Sequence, residues 1–256
     1  MPTGTPSQRQ PRLAVHIIIC DQMRELLPNP RFANNYAELF RRMFSAAAAR
    51  ADVEIAFDDW DAVAHNLPPV HNDDAETRHL YVLSGSQSDA FGTDPWIEAL
   101  RAFIRQAHAC GCRFMGVCFG HQVIASALGG SVARGPAGFW GAGARTITVT
   151  DPLVAGLACQ DHLRLCVVHY DVVTKLPPCA TLVATSDTCT VESYRVGTQI
   201  LTFQGHPEIN QEYLSYYIDI LCAKESPEAI AAAKATLQAP IDSQRIADTA
   251  LRFFLQ

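Results

Sequence analysis

Gly116-Val117-Cys118-Phe119-Gly120-His121-Gln122 decides how this chain of 256 residues folds. The apolar run Phe114 to Val117 leads into it and reads as a buried strand. Ile124, Ala125 and Leu128 follow at helical spacing, and Gly129-Gly130 stops that helix. Cys118 therefore falls on a tight strand-to-helix turn, a nucleophile elbow of the form Gly-x-nucleophile-x-Gly with sulfur in place of oxygen. Such a turn leaves little room for side chains at the flanking positions, which is why glycine stands there. The helix N-terminus beneath the sulfur favours negative charge. Taken alone, the stretch also fits an inert core cysteine beside a glycine-rich turn.

A second stretch argues against the inert reading. Ile200 to Gln204 reads as a strand that runs into Gly205-His206-Pro207-Glu208. In a parallel sheet, a histidine at one strand end can reach a cysteine at another. Glu208 can then orient the imidazole through its other nitrogen, which completes a Cys118-His206-Glu208 triad. His206-Pro207-Glu208 by itself is equally consistent with a surface turn. Two such motifs, each at a strand end, make coincidence a poor account.

The pair GVCFGHQ and QGHPE resembles the class I glutamine amidotransferases, the Cys-His-Glu triad group. Leu83-Ser84-Gly85-Ser86-Gln87-Ser88-Asp89, followed by Pro95-Trp96-Ile97, resembles that family's oxyanion loop. Val168-His169-Tyr170-Asp171-Val172-Val173 with Leu176-Pro177 resembles its His-x-Asp-x-Val segment. The resemblance runs from about Leu13 to Leu221 and is strongest to stand-alone members near the amidotransferase part of GMP synthase and to the γ-glutamyl peptidases. It implies an α/β fold: a single amidotransferase-like domain whose mixed, mostly parallel central sheet is flanked by helices. It also implies γ-glutamyl amide chemistry on Cys118. The oxyanion donors are expected from the Phe119 N–H, directly after the nucleophile, and from Gly85. Gln122, Ser86, His169, Tyr170 and Asp171 are the expected substrate contacts. His121 is expected to be packed rather than catalytic. The chemistry requires no cofactor and no metal.

Composition agrees with a compact protein. Hydrophobic residues make up 48% and charged residues 18%, enough for one large domain with a sizeable core. The net charge is −6 with no basic run, which argues against nucleic acid as a partner. The nine cysteines include no CxxC pair, so a structural zinc site is not expected. Cys110 and Cys112 read as core thiols, and Trp60, Trp96 and Trp140 as packing residues. No secretory signal is apparent and no apolar run reaches a membrane span, so a reduced cytoplasmic location is expected.

The domain division expected from the sequence is a disordered stretch over 1–11, the catalytic domain over 12–223 and a helical extension over 224–256. Leu13 to Cys20, Val53 to Phe57 and Leu80 to Leu83 read as strands, Asp21 to Arg31 as a loop, and Phe32 to Arg50 as an amphipathic helix. The polar stretch Asn66 to Thr77 reads as a surface excursion. Pro95 opens a helix at its favoured first position. Beyond Gly130, short β-type runs (Ser131–Ala133, Ala144–Thr150, Leu163–Val168, Thr181–Ser186, Thr190–Val196) predict a partly antiparallel half. Tyr213 to Leu221 and Ala229 to Leu237 read as helices. Asp242-Ser243 is expected to cap a last helix with Ile246, Ala250 and Phe254 on its buried stripe. No nucleotide-binding loop accompanies these elements.

Three functions compete at this level: a hydrolase or transferase that cleaves a γ-glutamyl amide through a thioester on Cys118, a glutaminase subunit that delivers ammonia to a synthetase partner, and a non-catalytic binding subunit. The small-molecule substrate is an amide in the first two. Relatives carry Gln where this chain has Tyr170, and Trp-Glu-x-Gly where it has Trp140-Gly141-Ala142-Gly143. A tyrosine ring, and space expected beside Gly141-Ala142-Gly143, favour a bulky γ-glutamyl conjugate over free glutamine.

Overall fold

The structure is a computed structural model that describes residues 12–21, 35–222 and 224–256. The tail over 1–11, the loop expected up to Arg31 and the first turn of the helix expected from Phe32 lie outside the described residues. Five strands come first in the order that builds the parallel half: β1 (Arg12–Ile19), β2 (Ile55–Asp61), β3 (Thr77–Leu83), β4 (Arg113–Val117) and, from much later in the chain, β11 (Ile200–Phe203). They lie side by side as β2-β1-β3-β4-β11, every neighbouring pair parallel. The sheet continues through β10 (Ser193–Val196), β9 (Thr181–Thr185), β6 (Gly141–Val149) and β7 (His162–His169), each pair antiparallel. Only β6 and β10 run against the other strands of this sheet, so it is mixed and mostly parallel. A separate ribbon pairs β5 (Ser131–Arg134) with β8 (Asp171–Lys175).

Alternation along the strands sends side chains to two cores. One face buries Leu13, Val15, Ile17 and Met115 against α1 (Tyr36–Ala51), α4 (Pro152–Ala158), α5 (Gln211–Leu221) and α7 (Ser243–Phe254). The other buries Ile18, Tyr81 and Phe114 against α2 (Pro95–Ala109) and α3 (Phe119–Ala127). Residues 224–256 do not hang off this body. They form α6 (Pro227–Ala235), a 3-10 turn (Thr236–Gln238) and α7, and Ile246, Ala250, Leu251 and Phe254 are buried in the same core as α1.

Several local expectations change. Asp242 precedes α7 but does not cap it with its side chain; that carboxylate accepts from the Arg164 backbone N–H at 2.8 Å. Helix α4, strand β8 and the early start of β6 were not legible in the run of residue types. Gly141-Ala142-Gly143 is not open. It is the first part of β6, and a Cβ on Gly141 would collide with the His169 ring, one on Gly143 with the Thr236 hydroxyl. Cys110 is exposed rather than in the core, whereas Cys112 is buried.

Candidate active site

The site follows from strand order. β4 lies between β3 and β11, with Gly116 in register with Leu83 on one side and Thr202 on the other. Their C-terminal ends therefore deliver Gly85, Cys118 and His206 to one edge of the sheet, where open α/β sheets place their sites. Cys118 N–H donates to Phe203 O at 2.9 Å, and Gly120 N–H to Ser84 O at 3.1 Å, which ties the elbow to both neighbours.

Cys118 has φ 53° and ψ −104°, a conformation that a non-glycine residue adopts at a cost of about 1–3 kcal/mol. The flanking glycines explain how it is tolerated. A Cβ on Gly116 would lie 2.6 Å from Gly120 O, and one on Gly120 would run into Leu83 O. The sulfur stands at the start of α3, 3.8 Å from Val168 O.

His206 Nδ1 and Glu208 Oε1 are 2.7 Å apart, and both side chains are buried. His206 N–H donates to Cys166 O at 2.8 Å, so the curled antiparallel half holds the histidine from behind. Burial opposes charge on the imidazole, but the Glu208 carboxylate and then the Cys118 sulfur outweigh it and raise the His206 pKa to about 10. The Nε2 atom is buried, and the Cys118 sulfur acts on the imidazole both through charge and through a side-chain hydrogen-bonding interaction. Gly85 lies close by: a Cβ there would sit 3.0 Å from the His206 ring and 3.0 Å from the Tyr36 hydroxyl.

Of these groups Cys118 borders a cavity of about 180 Å3, which Ser86, Gln122, His169, Tyr170 and Asp171 also line. A larger cavity of about 300 Å3 between α1, α5 and α7 backs onto Pro207–Asn210 and does not reach Cys118.

A family profile described as glutamine amidotransferase class-I matches residues 34–215. The chain belongs to the class-I glutamine amidotransferase family. Gamma-glutamyl peptidase 5 of Arabidopsis thaliana is 40% identical over 144 residues, 54% of this chain and 57% of that protein. The chain thus matches little more than half the length of that curated relative. A glutamine amidotransferase-like protein of Penicillium rubens, chyE, is 31% identical over 195 residues, 73% of this chain and 76% of that protein. In fold, the chain resembles the crystal structure of a glutamine amidotransferase from Thermotoga maritima, with TM-score 0.66, 20% identity, and coverage of 94% of this chain and 96% of that one.

Within this member of the family the expected substrate contacts divide into two kinds. Gln122 and His169 border the cavity but are tied to the interior. The Gln122 amide nitrogen donates to Asp171 O at 2.9 Å and to Gln204 Oε1 at 3.0 Å. His169 Nδ1 is 3.0 Å from Asp171 O and its Nε2 is 3.3 Å from Arg145, whose guanidinium also meets Glu192 at 3.1 Å. Burial, then Arg145, pulls the His169 pKa down to about 3, so this histidine stays neutral. His121 is fully buried, with Nδ1 2.8 Å from the Thr202 hydroxyl, and burial lowers its pKa to about 3. It packs, as expected.

Asp171, by contrast, belongs to a charged corner that residue patterns did not reveal. Arg134 on β5 reaches Asp171 at 2.9 Å and Asp89 at 2.8 Å. Burial raises the Asp171 pKa to about 6, Arg134 works against it, and Asp89 adds to it. Tyr170 is held by Glu225, whose carboxylate accepts from its hydroxyl at 2.7 Å. Arg134, Gln204, Lys224 and Glu225 come to the site from separate parts of the chain. Gln204 belongs to the QGHPE stretch at the end of β11, whereas nothing in the local sequence marks Arg134, Lys224 or Glu225; the pairing of β5 with β8 and the turn after α5 bring those three in. Among the described residues, no group of three His, Cys, Asp or Glu side chains is arranged to hold a metal ion, and no helix is long and apolar enough to cross a membrane.

Proposed function

We propose that this chain is a cysteine-dependent amidohydrolase that cleaves γ-glutamyl amides. The observation that carries the proposal is Cys118, held at φ 53° on the strand-helix elbow beside the buried His206–Glu208 pair. The Cys118 sulfur attacks the γ-carbonyl carbon, and a C–S bond forms as electrons move to the carbonyl oxygen. The resulting oxyanion is met by the N–H groups of Phe119 and Gly85. Collapse breaks the C–N bond, and protonated His206 gives its proton to the departing amine. His206 then takes a proton from water, whose oxygen attacks the thioester; the C–S bond breaks and glutamate leaves. Glu208 keeps the imidazole in one tautomer and stabilises its charged form.

Substrate recognition falls to Ser86, Tyr170 and Asp171, with Gln122 and His169 as buried supports that shape the wall. Arg134 between two carboxylates offers an ammonium and a carboxylate of one α-amino acid complementary partners. Relatives named as gamma-glutamyl peptidases support this choice of amide over a general esterase reading. The test is a panel of glutamine and γ-glutamyl amides assayed with the purified chain, together with mass analysis of the intact protein. A γ-glutamyl adduct on Cys118 that disappears on hydrolysis is the expected result. No turnover of any γ-glutamyl amide, and no adduct, refutes it.

A further inference from the structure

The turn between α5 and α6 brings Lys224 into the wall of the Cys118 cavity. Its ammonium lies 4.3 Å from the centroid of the Tyr170 ring. The described residues on either side of Lys224 are held in place. Glu225 N–H donates to Cys222 O at 3.0 Å, Glu225 Oε1 accepts from the Tyr170 hydroxyl at 2.7 Å, and Ser226 caps α6 by accepting from Ala229 N–H. Lys224 is thus presented by a tethered segment.

The cations of this cavity are not equivalent. Arg134 is paired with both Asp89 and Asp171. Lys224 pairs with no carboxylate among the described residues, and the ring beneath it is its partner. A cation over an aromatic face keeps its capacity for a further anion, since the ring takes only one side of the ammonium. An ammonium without a counter-ion, in the same cavity as the nucleophile, is where a substrate anion gains most.

We infer that Lys224 binds a carboxylate on the leaving amine, so that the preferred substrates are γ-glutamyl amino acids or peptides whose amine half carries a free carboxylate close to the scissile amide. The inference rests on the γ-glutamyl amidohydrolase reading above. The glutamyl α-carboxylate is the other anion such a substrate offers. The Asp89–Arg134–Asp171 corner matches the adjacent ammonium and carboxylate of the glutamyl head, which leaves Lys224, on the Tyr170 side, for the amine half.

Two substrates that differ only in that charge test this: γ-glutamylglycine and γ-glutamylglycinamide. The expected wild-type kcat/KM is at least tenfold higher for the carboxylate. In Lys224→Met that ratio falls to near one, and Lys224→Arg restores most of it. A wild type with no preference overturns the inference. So does an equal loss on both substrates in Lys224→Met, because the lysine then acts on the shared glutamyl head or on the fold; thermal midpoints of the variants separate those two. Calorimetry on Cys118→Ala gives an independent readout through the ratio of the two Kd values with and without Lys224→Met. Should the wild type turn over neither substrate, the hydrolase reading fails, while the Kd ratio still decides for or against Lys224; binding of neither substrate refutes the lysine's role as well.

Discussion

Glu208 Oε1 stands 2.7 Å from His206 Nδ1, with both side chains closed off from solvent. The contact sets the charge of the histidine. Burial alone would favour neutral imidazole, but the carboxylate, joined by the Cys118 sulfur, moves the pKa from 6.5 to about 10. Glu208→Gln removes the larger of these two opposing charges. The variant is expected to lose roughly ten- to a thousandfold in kcat/KM, while Cys118→Ala loses essentially all turnover. The alkaline limb of the pH–rate profile should also move to lower pH in Glu208→Gln. A profile identical to wild type would remove Glu208 from the mechanism.

The same shift has a consequence for stability. A group whose folded pKa is raised binds its proton more tightly in the native state than in the unfolded one. Its contribution is complete below the unfolded value of 6.5 and is lost as pH rises through about 10. Denaturant unfolding should therefore show wild type losing stability between about pH 7 and pH 10. His206→Gln should lose less over that interval. A steeper alkaline loss in the variant would contradict the assignment.

His121 and His169 work in the opposite direction. Burial lowers both to about 3, so the unfolded chain takes up protons that the native state refuses. Their contribution is present above about pH 6.5 and is lost as pH falls toward 3. His121→Gln is expected to lower stability at pH 7, because a buried imidazole bonded to Thr202 is replaced. It should nevertheless flatten the fall in stability between pH 7 and pH 5. Chemical denaturation at the two pH values measures this, and an unchanged slope would refute it.

Alkylation distinguishes the nucleophile from the other thiols. Cys20, Cys166 and Cys189 are buried, and burial pushes each thiol up to about 12. Cys110, Cys159 and Cys179 are exposed, so Cys118 is to be told from them by rate of reaction rather than by access. With limiting iodoacetamide at neutral pH, Cys118 should carry the first adduct, and γ-glutamyl amides should protect it. Labelling of Cys118 no faster than that of Cys110 sinks its assignment as nucleophile.

The parts of the site legible in sequence are those built from contiguous residues. Gly116 to Gln122 encodes its own elbow, because its glycines answer contacts made within the turn and with the strand beside it. His206 and Glu208 are two residues apart, so one short motif contains the whole pair. Arg134, and its meeting with Asp89 and Asp171, was hidden for the opposite reason. They meet only because β5 pairs with β8 and because the loop after β3 reaches the same edge. Gly141-Ala142-Gly143 misled for a related reason. Glycines suggest space, yet here they give room to the His169 ring and to Thr236. Tyr170 was expected to meet substrate through its ring; that its hydroxyl is taken by Glu225, fifty-five residues on, could not be read from the segment.

Arg134 provides the last prediction. It neutralises two carboxylates at once, with Asp171 at 2.9 Å and Asp89 at 2.8 Å. Asp171 already titrates at about 6, because burial raises it more than Arg134 lowers it, and Asp89 adds to the rise. Removing the guanidinium leaves burial and Asp89 unopposed, so the Asp171 pKa must rise further and the carboxyl must hold its proton nearer neutral pH. A protonated Asp171 no longer offers a full negative charge to a substrate ammonium. Arg134→Met should therefore raise KM for every γ-glutamyl amide, by roughly ten- to a hundredfold, with a smaller effect on kcat. The acid limb of kcat/KM should also move to higher pH. Asp171→Asn should raise KM similarly and abolish that limb. If Arg134→Met changes kcat alone, or moves the acid limb downward, the charged corner does not bind the glutamyl head.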